Sequence, residues 1–566
     1  MSSELTKALT APEARTWRNP LSRSRSTPQS RPLTQYPPRF IDDFGSHSYN
    51  TATELESVRR ASTGHDKPTS AHFSDEFSRD LESNAIEPEK DVFVGPVKNP
   101  NIVTWDSDDD GENPKNWSFR KKWAATLIVS AFTFISPVSS SMIAPALDKI
   151  GEEFHITSDL EKSLTLSAFV LAYAIGPLIL GPLSEIYGRV IVIQSANAFF
   201  LAFNIGCGFA QSKSQLIAFR FLSGLGGSAP LALGGGVLSD TWRAEERGKS
   251  MSIYSLAPLL GPAVGPIAGG FIAMNTTWRW CFWATSIVDT GIQCLGYFYL
   301  RETYAPKILS MKAKRLRKET GNPDLRTEWE IPGRTLTTIL ATNLIRPFRL
   351  LGTQIIIQVI AIYMAYLYGL MYLVLATFPR VWAEIYDQST GMGGLNYLSL
   401  GIGFFMGSQI AAPLNDRIYI ALKKRNGGVG RPEFRCPLMV PGALLVPIGL
   451  FIYGWTARPG VHWIFPNIGA ALLSAGTIMG FQCAQTYIVD AYQRFAASAI
   501  AAAVVLRSLA GFGFPLFAPY LYAALNLDWG NSLLGFIAIG LGLPAPFLLY
   551  RFGERLRASS PYAAGA

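Results

Sequence analysis

Charge is scarce in this sequence. Only 16% of its 566 residues are Asp, Glu, Lys or Arg, against about 25% in an ordinary globular domain, and residues 1–122 hold a large share of them. Histidine is scarcer. His47, His65, His72, His155 and His462 fall in the amino-terminal tail or in predicted outer loops, so no histidine cluster can hold a metal ion. Cys207, Cys281, Cys294, Cys436 and Cys483 are scattered through mostly apolar stretches without a CxxC pair, which argues for buried small hydrophobes rather than a disulfide framework or a metal site. There is no GxxxxGKS/T phosphate loop, which argues against ATP-driven work by this chain. The glycines at 224–227 do not follow a strand, so a dinucleotide fold fails as well. No cofactor is implied, and no catalytic cluster that would make the chain an enzyme is found.

What fills the sequence is apolar residues, 49% of the total. From Lys121 onward about twelve stretches are long enough to cross a bilayer, at roughly 20 residues each. They fall at 123–145, 163–183, 190–210, 214–238, 250–273 and 279–300, then 351–378, 394–414, 436–456, 462–488, 495–523 and 531–550. Most are apolar all round, which excludes helices lying on a soluble core, and the number excludes a seven-helix receptor. The expected fold is an all-α integral membrane protein in two six-helix halves, 121–300 and 351–550, embedded in a lipid bilayer. A charged linker at 301–350 joins them, and tails at 1–120 and 551–566 flank them. The net charge of +9 forms no basic stripe, so no nucleic-acid partner is expected.

The tail is rich in Ser, Pro, Arg and Asp, as in RNPLSRSRSTPQSRPL (18–33), and cannot bury enough apolar surface to offset its ordering entropy over 1–110. It carries no apolar core near Met1 that would mark a cleaved signal peptide. Arg120, Lys121 and Lys122 precede the first span; Arg243, Arg247, Lys249, KAKRLRK (312–318) and KKR (423–425) follow even-numbered spans. By the positive-inside rule both termini are cytoplasmic. The sequon at Asn275 is a candidate glycosylation site on the outer side, close against a span.

Polar residues inside such a chain are the candidates for function. GPLSEIYGR (181–189) is a polar turn between two apolar spans, and Pro413-Leu414-Asn415-Asp416-Arg417 recurs at the corresponding place in the second half, the weak internal symmetry of two-half transporters. Gly181, Glu185, Gly188, Arg189, Asp416 and Arg417 can form a latch that exists in one conformation and breaks in another, or simply a charged interfacial loop. Arg220, in AFRFLSGLGGSAPLALGGG (218–236), lies inside a span, where a charge costs at least a few kcal/mol unless it snorkels or finds partners. Asp289 and Arg507 lie near mid-membrane too, and with Arg220 they are the candidates for proton coupling. Such a carboxylate suits a group that gains and loses a proton, and a structural Asp–Arg or Asp–backbone tie is the competing reading.

The seventh span, AIYMAYLYGLMYLVLATF (361–378), carries Tyr363, Tyr366, Tyr368 and Tyr372, rings that can stack on hydrophobic or cationic solutes. An aromatic belt at the membrane surface is the alternative. Gln358 and Gln354 on that span, with Ser139, Ser140 and Met142 on the first, would complete a mixed polar and apolar cavity. LLGPAVGPIAGGF (259–271) sets two prolines and four glycines inside a charge-free run. Gly261, Gly265 and Gly269 recur every four residues and form a stripe for close helix packing, with Pro262 and Pro266 beside it and Gly270 following.

At these motifs the sequence resembles the major facilitator superfamily, and more narrowly the fungal twelve-span drug:proton antiporters. NPKNW (113–117), GPLSEIYGR, GPAVGPIAGG (261–270), WRWCFW (278–283), RETYAP (301–306) and AASAIAAAVVLRSLAGFGFPLF (496–517) carry the resemblance, which runs from Asn113 to about Tyr550. Glu185 stands where the superfamily commonly has Asp, Ile186 and Val190 replace bases, and Ala503 stands where relatives often have Asn. The resemblance implies that Arg220, with Gly224 and Ser228, serves proton coupling and that 261–270 is an antiporter motif between the halves. It also implies export of amphipathic drugs, fungicides or a self-made toxin by alternating access, against protons, from a monomer in the plasma or vacuolar membrane. Uptake or exchange of a defined solute such as a polyamine or sugar, and a transporter-like sensor or scaffold, are the other readings.

Overall fold

A computed structural model describes residues 101–566 apart from 244–245, 331–335 and 564–566. The expected disorder of 1–110 therefore lies outside the described residues as far as 100. The long helices are α1 (Phe119–Ser141), α2 (Asp159–Tyr187), α3 (Arg189–Gly208), α4 (Lys213–Thr241), α5 (Arg247–Asn275) and α6 (Arg279–Tyr299). After them come α7 (Ala305–Thr320), α8 (Leu336–Thr353), α9 (Ile355–Arg380) and α10 (Tyr397–Arg425). The chain ends with α11 (Met439–Thr456), α12 (Ile464–Ala491), α13 (Ala496–Gly542) and α14 (Pro544–Ala558). The fold is all-α, and the pairing seen outside helices among the described residues is an isolated bridge between Ile102 and Arg326.

Ten helical stretches among the described residues are long and apolar enough to cross a membrane. The count differs from twelve for two reasons. α13 runs through two expected spans and turns at Asn526, whose φ of 55° and ψ of −179° leave the helical region. α6 is diluted by Arg279, Asp289 and Gln293 but packs into the bundle against α1 and α3. Within α1–α6, α1 lies against α5 and α2 and α3 lie against α4; within α9–α14, α9 and α11 lie against α13, and α10 and α11 against α12. The two groups meet where α2 touches α13 and α5 touches α10.

The glycine stripe of α5 has a definite partner. A Cβ on Gly261 would stand 2.6 Å from Pro137 Cβ, and one on Gly265 would stand 2.6 Å from the carbonyl oxygen of Val138, both on α1. Only hydrogen fits there, so the backbones of α1 and α5 approach to a distance no side chain permits. α5 is one continuous helix through Pro258, Pro262 and Pro266. Its other face crosses between the groups: Gly394, in the short helix Thr390–Leu395, sits where an added Cβ would be 3.0 Å from the Pro266 carbonyl. The motif thus belongs to a contact inside the first group and to a contact between groups.

Where they fall among the described residues, the linker and the stretches flanking the two halves are more ordered than their composition implies. Residues 301–350 hold α7 and most of α8. The segment from Asn101 docks on α7, where the buried Lys312 ammonium lies 2.7 Å from Asp106 and 3.5 Å from Asp110. The Asp110 carboxylate accepts from the amides of Glu112 and Asp106, and these bonds with Lys312 beside it hold its carboxyl below the usual range. At the other terminus α14 continues to Ala558, and Arg557 donates to both oxygens of the buried Glu433 at 2.9 and 3.0 Å. The 551–566 segment is held at this pair.

Gly265→Leu is expected to lower the melting temperature of the detergent-solubilised protein, or to stop it reaching the membrane, because overpacking a close contact costs about 1–3 kcal/mol or more. Wild-type melting and normal membrane delivery in that variant would contradict the α1–α5 contact.

Candidate functional site

Arg220 is fully buried and does not snorkel. Its Nε donates to the Thr165 carbonyl at 3.3 Å, one terminal nitrogen to Ser139 at 3.0 Å, and the other to Ser140 at 2.8 Å and Leu166 at 3.4 Å. The Ser139 and Ser140 carbonyls belong to the last turn of α1, where helix carbonyls lack intrahelical partners and the dipole end is negative. Phe169 and Phe282 present their rings to the guanidinium at 4.5 and 5.8 Å. One cation thereby joins α1, α2, α4 and α6 without a carboxylate.

From Arg220 a polar line crosses between the two groups of helices. The Ser140 hydroxyl lies 3.2 Å from the Tyr372 hydroxyl of α9. The Tyr372 and Tyr368 rings are 5.0 Å apart, and the Arg507 guanidinium of α13 sits over Tyr368 at 4.6 Å, with Phe481 of α12 at 5.9 Å. Tyr173 of α2 is hydrogen-bonded to Ser136 of α1 at 2.6 Å. The sequence-predicted Arg220, Ser140, Tyr368, Tyr372 and Arg507 are therefore brought into one line.

Other predicted residues lie elsewhere. The Tyr366 hydroxyl donates to the Leu534 carbonyl, and the Tyr363 ring packs on Gly480 and Gly542, so both face the interior of the α9–α13 group. Tyr363 and Tyr366, three residues apart, share one face of α9, and Tyr368 and Tyr372, four apart, share another. Gln358 donates to the Leu351 carbonyl at 2.9 Å, at the junction of α8 and α9, and Gln354 meets Ser560 near the carboxyl terminus. Asp289 is fully buried, but Asn197 of α3 donates to both its oxygens at 3.1 and 3.0 Å, and it has no contact with Arg220. This tie is to an asparagine side chain, neither the arginine nor the backbone partner of the competing reading.

Two asparagines on α3 were missed by sequence reasoning. Asn204 accepts from the Ser139 hydroxyl at 2.8 Å and donates to Thr285 and Ser286 at 2.9 and 2.8 Å. Asn197 lies two turns along the same face, so a buried polar file leads from the Arg220 site along the α3–α6 contact toward Asp289. Two buried amides seven residues apart on an apolar helix were the available signal.

The loop after α2 is built around Gly188 (φ 104°), where an added Cβ would collide with the Glu302 carboxylate. That carboxylate accepts from the amides of Arg189, Val190, Thr303 and Tyr304 at 2.9, 3.2, 3.0 and 2.9 Å. Arg189 donates to Ser184 at 2.6 Å, lies 3.5 Å from Asp240 and stacks over Tyr304 at 4.7 Å. The acids in this cluster are Glu302 and Asp240 rather than Glu185, which is exposed, and Gly181 faces open space. In the second group Asp416 pairs with Arg435 at 2.6 Å, and Arg435 with Asp490 at 3.0 Å, while Arg417 is exposed. Arg435 takes the place expected for Arg417 because the partner is set by helix packing, not by adjacency. Asn275 is exposed at the end of α5, and its amide donates to the Phe271 carbonyl at 2.9 Å.

At the opposite end of the bundle the groups are tied together. Arg380 of α9 donates to both oxygens of Asp159 of α2 at 3.0 and 3.1 Å, beside the packing of Thr390–Leu395 on α5.

A bundle of spanning helices with a polar line between two groups is the arrangement of a membrane transporter. The description "Major Facilitator Superfamily" matches residues 129–515. The chain is 53% identical over 502 residues to the efflux pump vrtL of Penicillium aethiopicum, covering 88% of this chain and 99% of that one. It is 40% identical to the efflux pump radE of Floropilus chiversii, covering 93% and 98%. The proton:xylose symporter XylE bound to 6-bromo-6-deoxy-D-glucose superposes with a TM-score of 0.57 at 18% identity, covering 77% of this chain and 96% of that one, a likeness of fold. The chain belongs to the major facilitator superfamily. It is a multi-pass membrane transporter of small molecules and not an enzyme.

The Asp159–Arg380 pair is half-exposed, so its strength is on the order of 1 kcal/mol or less. Asp159→Lys should therefore raise the rate of thiol labelling at Thr390→Cys by about two- to fivefold, and adding Arg380→Glu should restore it. Equal labelling in all three backgrounds would show that the pair does not hold this end.

Proposed function

We propose that this chain is a proton-coupled exporter of amphipathic organic compounds, working by alternating access between the halves 121–300 and 351–550. The observation that carries the reading is the line Arg220–Ser140–Tyr372–Tyr368–Arg507, which passes from one half to the other and therefore must rearrange when they move. Rings beside hydroxyls and cations form a surface for solutes with apolar bodies and a polar group. The efflux-pump names of two relatives support the outward direction.

With both termini cytoplasmic in a plasma membrane, the end tied by Asp159 and Arg380 faces outward, and Gly181 and Glu185 mark a cytoplasmic opening. Arg220 and Asp289 are assigned to coupling. The hydroxyl and amide file through Asn204 and Asn197 supplies polar neighbours between them, and 261–270 closes the outer path where the halves meet. Glu302, Arg189 and Asp240 form the latch of the first half; Asp416, Arg435 and Asp490 form its counterpart.

Expression in a pump-deficient yeast should reduce accumulation of, and raise resistance to, at least part of a panel of hydrophobic fungicides and dyes. No change for any compound would overturn export. Arg220→Ala should reach the membrane yet lose export at least about tenfold, the scale of removing charge-assisted hydrogen bonds. In proteoliposomes Asp289→Asn should retain substrate exchange while losing the dependence of transport on the pH gradient. Gradient-driven export intact in that variant would remove Asp289 from coupling.

A further inference from the structure

The two arginines of the central line are not balanced by acids. Arg220 is solvated by carbonyls of its own half. Asp289 is taken up by Asn197 where α3 meets α6. Arg507 has neither an ion pair nor a hydrogen bond among the described residues: its Nε is buried without a partner, and its contacts are the faces of Tyr368 and Phe481. It stands eleven residues into α13, about 16 Å along the helix at 1.5 Å per residue, so it cannot be explained as a snorkelling cation at the surface. The side chain is part-exposed, unlike Arg220, so its free donors are within reach of a solute.

A guanidinium offers five N–H donors in a planar fork that matches a carboxylate. Held by aromatic faces alone, it keeps those donors unspent. The neighbouring cation makes a second positive solute unfavourable here and a negative one favourable. Tyr368, Phe481 and Tyr372 provide ring faces beside the fork. We propose that Arg507 recognises the charge of the transported solute, and that the solute class is the aromatic organic anion, a flat apolar body bearing a carboxylate or an acidic phenol. This assignment rests on the export reading above and narrows its substrate. Removal of the anion leaves Arg507 without a counter-charge, so the loaded and empty states differ in the electrostatics of the contact between halves.

The test uses two dyes built on one ring system. Fluorescein carries a free carboxylate and is anionic near neutral pH; rhodamine 6G is esterified and cationic. Efflux of each from preloaded pump-deficient yeast is measured for the full chain, Arg507→Gln and Arg507→Lys, with membrane delivery checked by a fluorescent tag. The wild type should export fluorescein. Arg507→Gln should lower the fluorescein-to-rhodamine export ratio by at least about tenfold, and Arg507→Lys should recover part of that loss. An unchanged ratio in Arg507→Gln, or export of rhodamine 6G without fluorescein by the wild type, overturns the anion assignment and leaves export standing. Export of no compound by the wild type overturns both. Should the glutamine variant fail to reach the membrane, the purified wild-type chain decides. Its thermal unfolding should be raised by 2-naphthoate and not by the methyl ester, and equal effects of the two overturn the assignment.

Discussion

A guanidinium with no exposed surface must be solvated by the protein itself, because burying an unpaired charge is far costlier than any packing gain nearby. Arg220 meets that demand with backbone carbonyls from α1 and α2 rather than with an acid. The carbonyls at the end of α1 are free because the helix stops there, so the cation caps one helix while belonging to another. Much follows from this. α1 has to end at Ser141, α2 and α4 have to come close, and the Ser140 hydroxyl is left beside the second half of the molecule, where it meets Tyr372.

The close approach of α1 and α5 complements this constraint from the other side. With only hydrogens at Gly261 and Gly265, α5 lies directly on the turn of α1 that precedes Arg220's carbonyl partners. The outer face of α5 then receives Thr390–Leu395 from the second half. A change in how the halves meet is thereby transmitted through one helix to the carbonyls that solvate the buried cation. Backbone packing couples these places without requiring a chain of charged groups.

The bilayer-spanning architecture was legible because its cause is composition: long apolar runs, the basic bias of alternate loops and the glycine stripe all act over many residues. The central line was legible in part. Arg220, Asp289 and Arg507 stand out since charge inside an apolar run has few bland explanations. Spacing puts Tyr363 and Tyr366 on a different face of α9 from Tyr368 and Tyr372, but which of the two faces meets the other half depends on neighbouring helices. Glu302 and Arg435 were not recognised because the residues they meet, at Arg189 and Asp416, are distant in the chain.

The order of residues alone settles that this chain must live in a membrane, that its segments there are helical, and that a few charges lie where lipid cannot solvate them. These are properties of local composition, and no neighbour can reverse them. Which carbonyls solvate Arg220, that Asn197 engages Asp289, and that Arg507 meets the rings of Tyr368 and Phe481 with no ion pair or hydrogen bond among the described residues were decided by the tertiary structure. A buried polar group takes whatever partner packing brings within about 3 Å, and that partner comes from helices far away in the chain.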